Sequence, residues 1–291
     1  MSLQRSASGL ANLKLFFKVD QIVYCEGGDS LTAEAIGQGQ GDDETLDVHF
    51  WQLIFANFGS ERKTHFKSVG SKQTLMQLAD LIIKHDIPSV FICMDRDHDF
   101  LCGRQRQDHR VIYTRGYSWE NDVFDPEVIR RAFFVFRNAN ERSMVDSENL
   151  IKSGHKFMRE ARRFCEYDVY FVQRGMVAMF PRDNPMRPIA LVPKKAPALN
   201  VVWLKREIAQ RGFTKKPRSA LSISVQDVQQ HLFGKTLAKY VYHAVKHFAT
   251  NGQRRFMGFD DFLRLSLTRF VDALRDGMLP DQAQYYGQTI P

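Results

Sequence analysis

The sequence predicts an α/β protein, with a mostly parallel sheet flanked by helices followed by a basic, mainly helical C-terminal region. Three observations carry this. Short apolar runs of strand length, such as Ile22-Val23-Tyr24-Cys25 and Val90-Phe91-Ile92-Cys93-Met94, are interleaved with segments of helical period. That alternation implies parallel strands joined by helical crossovers. Both runs end at acidic clusters, Glu26-Gly27-Gly28-Asp29 and Asp95-Arg96-Asp97-His98-Asp99. The charge also divides along the chain: residues 1–150 hold 17 Lys+Arg against 22 Asp+Glu, and residues 151–291 hold 24 against 11.

The elements follow in order. The first ten residues read as a loose tail, and Asn12 to Phe17 as a short strand or a turn of helix. Gln21 to Cys25 is a strand stopped by two glycines. Asp29 or Ser30 then caps a helix to about Ile36, and Gly37 to Gly41 is a loop. Asp47 to Phe58 reads as helix, because Val48, Trp51, Ile54, Phe55 and Phe58 fall on one face. His65 to Val69 is a strand. Ser71 to His85 is a helix with the stripe Leu75, Leu78, Ala79 and Ile82. Val90 to Met94 and Val111 to Thr114 are strands, and Pro126 opens the helix Asp125 to Phe136.

Beyond that point the pattern changes. Glu148 to Phe164 reads as helix, Tyr167 to Phe180 has strand character, and Ile189 to Val192 is a possible strand within proline-rich loop. Val201 to Gln210, Val225 to Phe248 with a break near Gly234, and Phe259 to Asp276 read as helices. The last fifteen residues are polar and expected to fray. A boundary near residue 140 separates an expected catalytic domain, 1–140, from a basic domain, 141–291, for nucleic-acid and partner binding.

Composition excludes several classes. At 291 residues, with 44% apolar and 12% aromatic residues, the chain is neither a miniature scaffold nor wholly disordered. No apolar run approaches the roughly 20 residues that span a bilayer. Met1 to Leu10 lacks the apolar core of a secretion signal, so the cytoplasm is the expected compartment. The four cysteines are scattered, which argues against a disulfide framework. Cys93, His98, Cys102 and His109 lie close in sequence, but their spacing matches no familiar zinc module and Cys93 sits inside a core strand.

The acids at the strand ends carry the chemistry. Ligands of open α/β sheets bind beyond the carboxyl ends of strands. Carboxylates gathered there repel one another unless a cation lies between them. Mg²⁺, or Mn²⁺, is the natural choice, since Mg²⁺ is held by one or two carboxylates together with substrate phosphate. Asp95 and Asp97 are two apart, so in an extended segment they point the same way. Gly27 and Gly28 allow close approach of backbone to phosphate. Asp29 fits either a ligand or a helix cap. Glu120, after the Val111 strand, fits either a further catalytic acid or a helix-start residue bonded to backbone.

A strand ending in Glu-Gly, with a strand ending in Asp-x-Asp about seventy residues later, resembles the Toprim domain of primases, topoisomerases and OLD-type nucleases. Glu26 matches that domain's glutamate, Asp95 and Asp97 its aspartate pair, and Asp99 the third acid of some members. The segment Tyr117-Ser118-Trp119-Glu120-Asn121 is similar to the Ser-x-Glu-Asn element of one Toprim-like, OLD-related family. That family includes the effector nucleases of PARIS anti-phage defence. The resemblance covers residues 20–130 and thins over the basic half.

The resemblance implies a metal-dependent endoribonuclease that acts on tRNA once released by an ABC-like ATPase partner. Glu26, Asp95, Asp97 and Asp99 would be the metal ligands, and Glu26, Asp95, Asp97 and Glu120 the catalytic set. An OLD-type DNA nuclease and a catalytically silent regulatory Toprim remain open. A topoisomerase would need a positioned tyrosine in a larger chain, and a primase a zinc module.

The basic half supplies expected nucleic-acid contacts: Lys194 and Lys195, then Lys215, Lys216 and Arg218 in a proline-bearing loop. Arg159, Arg162, Arg163, Arg254 and Arg255 add to them. Phe213 fits either a base stack or a core contact. Two such basic faces would suit a homodimer on a large substrate. Gly234-Lys235-Thr236 is not expected to bind ATP, because Gln229 stands where a phosphate loop needs glycine.

Overall fold

A computed structural model describes residues 7–28, 31, 36, 41, 44–59, 61–213, 221–250 and 256–291. The chain forms two compact units. The first comprises Met1–Arg96, Gln105–Arg115 and Leu279–Pro291, and the second Asp97–Arg104 and Gly116–Met278.

The first unit contains α1 (Ala7–Phe17), β1 (Gln21–Cys25), α2 (Leu46–Phe58), β2 (Thr64–Ser68), α3 (Lys72–Lys84), β3 (Val90–Met94) and β4 (Val111–Tyr113). The four strands make one parallel sheet in the order β2-β1-β3-β4. Every residue of β1 and β3 is buried. Burial on both faces explains why these runs are apolar without alternation.

On one face, Ile22, Tyr24, Ile92 and Met94 pack with Leu75, Leu78, Ala79 and Ile82 of α3 and with Leu10 and Leu13 of α1. On the other face, Phe55 of α2 meets Phe66 of β2 with ring centres 5.3 Å apart. Helix starts match their caps: Thr45 accepts from Val48 N and Ser71 from Thr74 N.

The C-terminal segment differs from the expected frayed end. Pro280–Thr289 is a helix of this first unit. Its Tyr286 is fully buried, with ring centres 6.0 Å from Phe50 and 6.2 Å from Trp51. Overall polarity hid one apolar anchor. The N-terminal expectation also shifts, since α1 begins at Ala7 and takes in Asn12 to Phe17. The expected helix from Asp29 or Ser30 to Ile36, and the loop Gly37 to Gly41, fall largely outside the described residues.

The second unit is built from helices. They are α4 (Trp119–Val123), α5 (Pro126–Phe136), α6 (Glu141–Gln173), α7 (Val201–Gln210), α8 (Val228–His231), α9 (Gly234–Thr250) and α10 (Phe259–Arg275). A two-stranded antiparallel ribbon joins β5 (Ile189–Ala190) to β6 (Ala198–Leu199). With the C-terminal helix numbered α11 (Pro280–Thr289), the elements are complete among the described residues.

One expectation fails outright here. The segment from Tyr167, read as strand, continues α6 for two more turns. Its aromatic and β-branched residues favour strands locally, but every residue from Phe164 to Phe171 is buried as the helix runs on through the core of the unit. The helix stops only where Gly175 takes a left-handed φ of +69°. No helix among the described residues is long and apolar enough to cross a membrane.

Candidate functional site

In the first unit, β1 has β2 on one side and β3 on the other. The connections leaving β1 and β3 therefore diverge, which opens a crevice at the carboxyl ends of these strands. Glu26 and Asp95 stand there, one residue beyond the paired Cys25 and Cys93 and one beyond Met94. Glu26 N donates to Cys93 O at 3.3 Å. Asp95 N reaches the Glu26 carboxylate Oε2 at 3.4 Å. Lys72, the first residue of α3, donates from Nζ to the Asp95 carbonyl at 2.5 Å. The Glu26 carboxylate, the Asp95 backbone and the Lys72 ammonium are thus gathered at the strand ends.

Gly27 shapes this crevice. It exchanges backbone hydrogen bonds with Gly70, at 3.0 and 2.8 Å, and holds a φ of +107°. A Cβ at Gly27 would stand 2.7 Å from Asp47 Oδ2. Glycine is required both by the backbone and by the close approach of that carboxylate. Asp47 also acts on Cys25, whose thiol is pushed well up by burial first, then by Cys93 and Asp47.

Sequence reasoning placed Asp47 at a helix start and gave it no role. Its only signal was an acid in a first turn, which is where the helix dipole favours any acid.

The second unit carries the other acids. Asp97 has a left-handed φ of +51°, and its N–H donates to Tyr117 O at 2.6 Å. The extended geometry expected from Asp95 to Asp97 therefore does not hold, because the alternation of side-chain direction stops at Asp97. Asparagine and aspartate tolerate this region better than most residues. The Tyr117 phenol is pushed well up by burial and by the nearby Asp97 carboxylate. The Asp99 carbonyl closes a turn, accepting from Cys102 N at 3.2 Å and Arg104 N at 2.9 Å.

His98, between these acids, is buried. Its Nε2 lies 3.0 Å from Asp168 Oδ2, and its Nδ1 has no partner among the described residues. Asp168 also accepts from Arg182 Nη2 at 2.8 Å and from the N–H groups of Met179 and Phe180 at 2.5 and 2.9 Å. The Arg182 guanidinium stacks over Tyr117 and Phe233, 5.2 and 4.4 Å from the ring centres. Sequence reading found neither Asp168 nor Arg182, since both lie in the stretch read as strand and loop.

Glu120 is the second residue of α4 and is buried with Ser118 and Asn121. Asn121 donates both amide hydrogens, to Gln229 O at 2.5 Å and Leu232 O at 2.8 Å. Its Oδ1 is thereby fixed as an acceptor, 3.0 Å from Ser118 N and 2.9 Å from Ser118 Oγ. Ser118 Oγ is also 2.5 Å from Glu120 Oε2. One hydroxyl hydrogen cannot serve both oxygens. A protonated Glu120 resolves this: it donates to Ser118, which donates to Asn121. Burial pushes the Glu120 pKa up in the same sense, against the opposing pull of Ser118, its own backbone N–H and Lys235.

Gly234, the first residue of α9, seals the cluster. A Cβ there would collide with Ser118 Oγ and stand 2.8 Å from Glu120 Oε2 and Asn121 Oδ1. Thr236 Oγ1 donates to Pro185 O at 3.0 Å. The Gly-Lys-Thr tripeptide is thus occupied in packing this element.

Of the expected nucleic-acid contacts, Lys194 and Lys195 are exposed between β5 and β6, and Arg159, Arg162 and Arg163 are exposed on α6. Lys215, Lys216, Arg218, Arg254 and Arg255 lie outside the described residues, as does Asp29. Phe213 packs in the core, with ring centres 5.4 Å from Phe171 and 5.8 Å from Tyr170.

No group of three or more His, Cys, Asp or Glu among the described residues is arranged to hold a metal ion. Glu26 and Asp95 still fit a hard divalent cation in kind and number. Mg²⁺ takes one or two carboxylates and completes its shell with water and phosphate oxygens. The chain matches no protein-family model, and no curated protein matches it.

Proposed function

We propose that this chain is a divalent-metal-dependent nuclease with a Toprim-like catalytic sheet. The observation that carries the reading is the placement of Glu26 and Asp95 together at the diverging ends of β1 and β3. Glu26 and Asp95 would hold Mg²⁺ or Mn²⁺, with Asp97 and Asp99 assigned as further ligands by the sequence motif. The ion would supply the positive charge that a phosphodiester needs at the attacked phosphorus and leaving oxygen.

The chain's own residues have separate tasks in this reading. Glu26 orients or deprotonates the attacking water. Lys72 ties down the Asp95 backbone. Glu120 is assigned to the catalytic set by the resemblance alone, and burial pushes it toward its protonated form. Lys194 and Lys195, with Lys215, Lys216 and Arg218, grip the nucleic acid.

The resemblance to PARIS effectors supports the rest of the proposal. The substrate is RNA, specifically tRNA, and an ABC-like ATPase restrains the enzyme until phage infection. The active form is a cytoplasmic homodimer.

The test is Glu26→Ala and Asp95→Ala, each checked for folding by circular dichroism. Both should lose at least ~100-fold in metal-dependent cleavage of a tRNA pool and in toxicity. Calorimetry should show Mg²⁺ or Mn²⁺ binding to the wild type and weaker binding to Asp95→Ala. Wild-type cleavage by Glu26→Ala sinks the proposal. Folded protein with no metal binding and no cleavage selects the silent regulatory reading, and DNA cut in preference to RNA selects the OLD-type one.

A further inference from the structure

A second feature lies within the helical unit. The last two turns of α9 and the loop joining β5 to β6 line an open cleft of about 370 Å³. That is within the range of roughly 300–1,000 Å³ typical of ligand sites. The helix contributes His243, Lys246 and His247, which share a face at spacings of three and four. The loop contributes Lys195 and the apolar side chains of Leu191 and Val192, which are 51% and 49% exposed.

The electrostatics of the cleft are one-sided. Among the described residues its lining contains no carboxylate. Lys195 and Lys246 form no ion pair with any described residue. His243 is held below its ordinary pKa by burial and then by Lys246 and Lys239. The charges acting on this imidazole are both positive, so the field in the cleft is not neutralised from within. A concave, uncompensated positive surface concentrates anions.

The loop is built to hold that charge in place. Val192 O accepts from Lys195 N at 3.0 Å across Pro193 and Lys194, and Lys194 has a φ of +62°. Proline followed by a left-handed residue is the pattern of a type II turn, where glycine or asparagine is normal. A lysine there accepts backbone strain, which tends to occur where a side chain is needed. The result is a stiff corner with Lys195 at one rim and Lys246 at the other.

Cationic and apolar surface occur together in this cleft, and that combination selects the ligand. Phosphate alone would need only the lysines. A polyanionic peptide would have no use for exposed Leu191 and Val192 beside two imidazole rings. A single-stranded nucleic acid has both parts: phosphates for the lysines, and an unpaired base whose face can lie against apolar and ring surfaces. A duplex hides those faces in its stack.

We infer that the cleft between α9 and the β5–β6 turn binds one or two nucleotides of a single-stranded nucleic acid, with Lys195 and Lys246 on phosphates and the apolar wall against a base. The inference rests on the nuclease reading only in taking the polyanion to be nucleic acid. It makes the helix face His243, Lys246 and His247 part of substrate recognition, in addition to the loop lysines.

The test is equilibrium binding of a fluorescein-labelled single-stranded oligonucleotide to the full chain in EDTA, so that no metal-dependent cleavage intrudes. Lys195→Gln/Lys246→Gln should weaken binding about tenfold or more at moderate salt. Its log-log salt slope should be shallower by about 1.4, since each lost single-strand phosphate contact removes roughly 0.7. Both side chains are exposed, so thermal melting should match the wild type.

Unchanged affinity and slope in the double variant would overturn the inference. So would equally tight binding of polyglutamate, of a duplex of the same length, or of a free nucleoside monophosphate. The outcome is separable from the nuclease reading: that reading stands or falls on cleavage by Glu26→Ala, this one on binding without metal.

Discussion

His98 Nε2 lies 3.0 Å from the Asp168 carboxylate, and both side chains are sealed from solvent. The same carboxylate takes three further donors, from Arg182, Met179 and Phe180. Asp168 therefore ties the acidic turn that follows Arg96 to the middle of the longest helix. A carboxylate with four donors in a buried setting is a fixed anchor, and it holds the backbone on either side of His98.

Burial alone would raise the Asp168 pKa. The Arg182 charge and the His98 hydrogen bond outweigh it and hold the carboxyl at about 2, against an ordinary 3.8. A depressed pKa stabilises the fold above the unfolded value and loses that contribution as pH falls through the folded one. The difference corresponds to roughly 2 kcal/mol at neutral pH. Asp168→Asn should be less stable than wild type by about this amount in urea titrations at pH 7. The gap should narrow steadily as pH is lowered from 5 toward 2. Equal stability of the two proteins at pH 7 would remove the anchor role.

Gly234→Ala tests the seal over Ser118, Glu120 and Asn121. Alanine normally favours a helix by about 1 kcal/mol over glycine. Here the new methyl would collide with Ser118 Oγ. Overpacking typically costs about 1–3 kcal/mol, so net destabilisation is expected. Amide exchange at Trp119–Val123 should speed up, because the capping contacts of α4 are displaced. A variant that is more stable than wild type, with unaltered exchange, contradicts the packing described.

Tyr286→Ala tests whether the C-terminal helix completes the first unit. Removing a buried aromatic ring costs about 3–5 kcal/mol. Tyr286→Phe should lose about 1 kcal/mol or less, since it keeps the ring and gives up the long hydrogen bond from Arg115 N, 3.3 Å. Equilibrium unfolding, followed by the fluorescence of Trp51, should report both values. An alanine variant as stable as wild type would show that the segment is dispensable.

The first-unit strands were legible in the sequence because burial on both faces leaves short unbroken apolar runs. Val90–Met94 matches to the residue, and the helix stripe Leu75, Leu78, Ala79 and Ile82 is buried as expected. Glu26 and Asp95 were legible for the same reason, since a strand end is a local feature. Asp47 was not, because only tertiary folding brings a helix-start acid beside Gly27. Tyr167 to Gln173 misled because its aromatic residues suit a strand, and because burial on all sides from Phe164 to Phe171 leaves no amphipathic stripe to mark the helix. His98 carried no local sign that its partner lay seventy residues away. The cleft lysine Lys246 was equally silent, being one cation on one amphipathic helix.

The first unit takes its last piece from Leu279–Pro291, after the whole of the second unit has been made. On the ribosome, Phe50 and Trp51 emerge early and wait for Tyr286 through more than two hundred residues of synthesis. At ~5–20 residues per second that wait is on the order of ten seconds or more. Phe50 and Trp51 of α2, the helix that packs on the sheet bearing Glu26 and Asp95, thus lack this contact until Tyr286 has been made. A nascent chain, or one cut short by a premature stop, would present that bare aromatic surface to chaperones and proteases before it could present a finished set of strand-end acids.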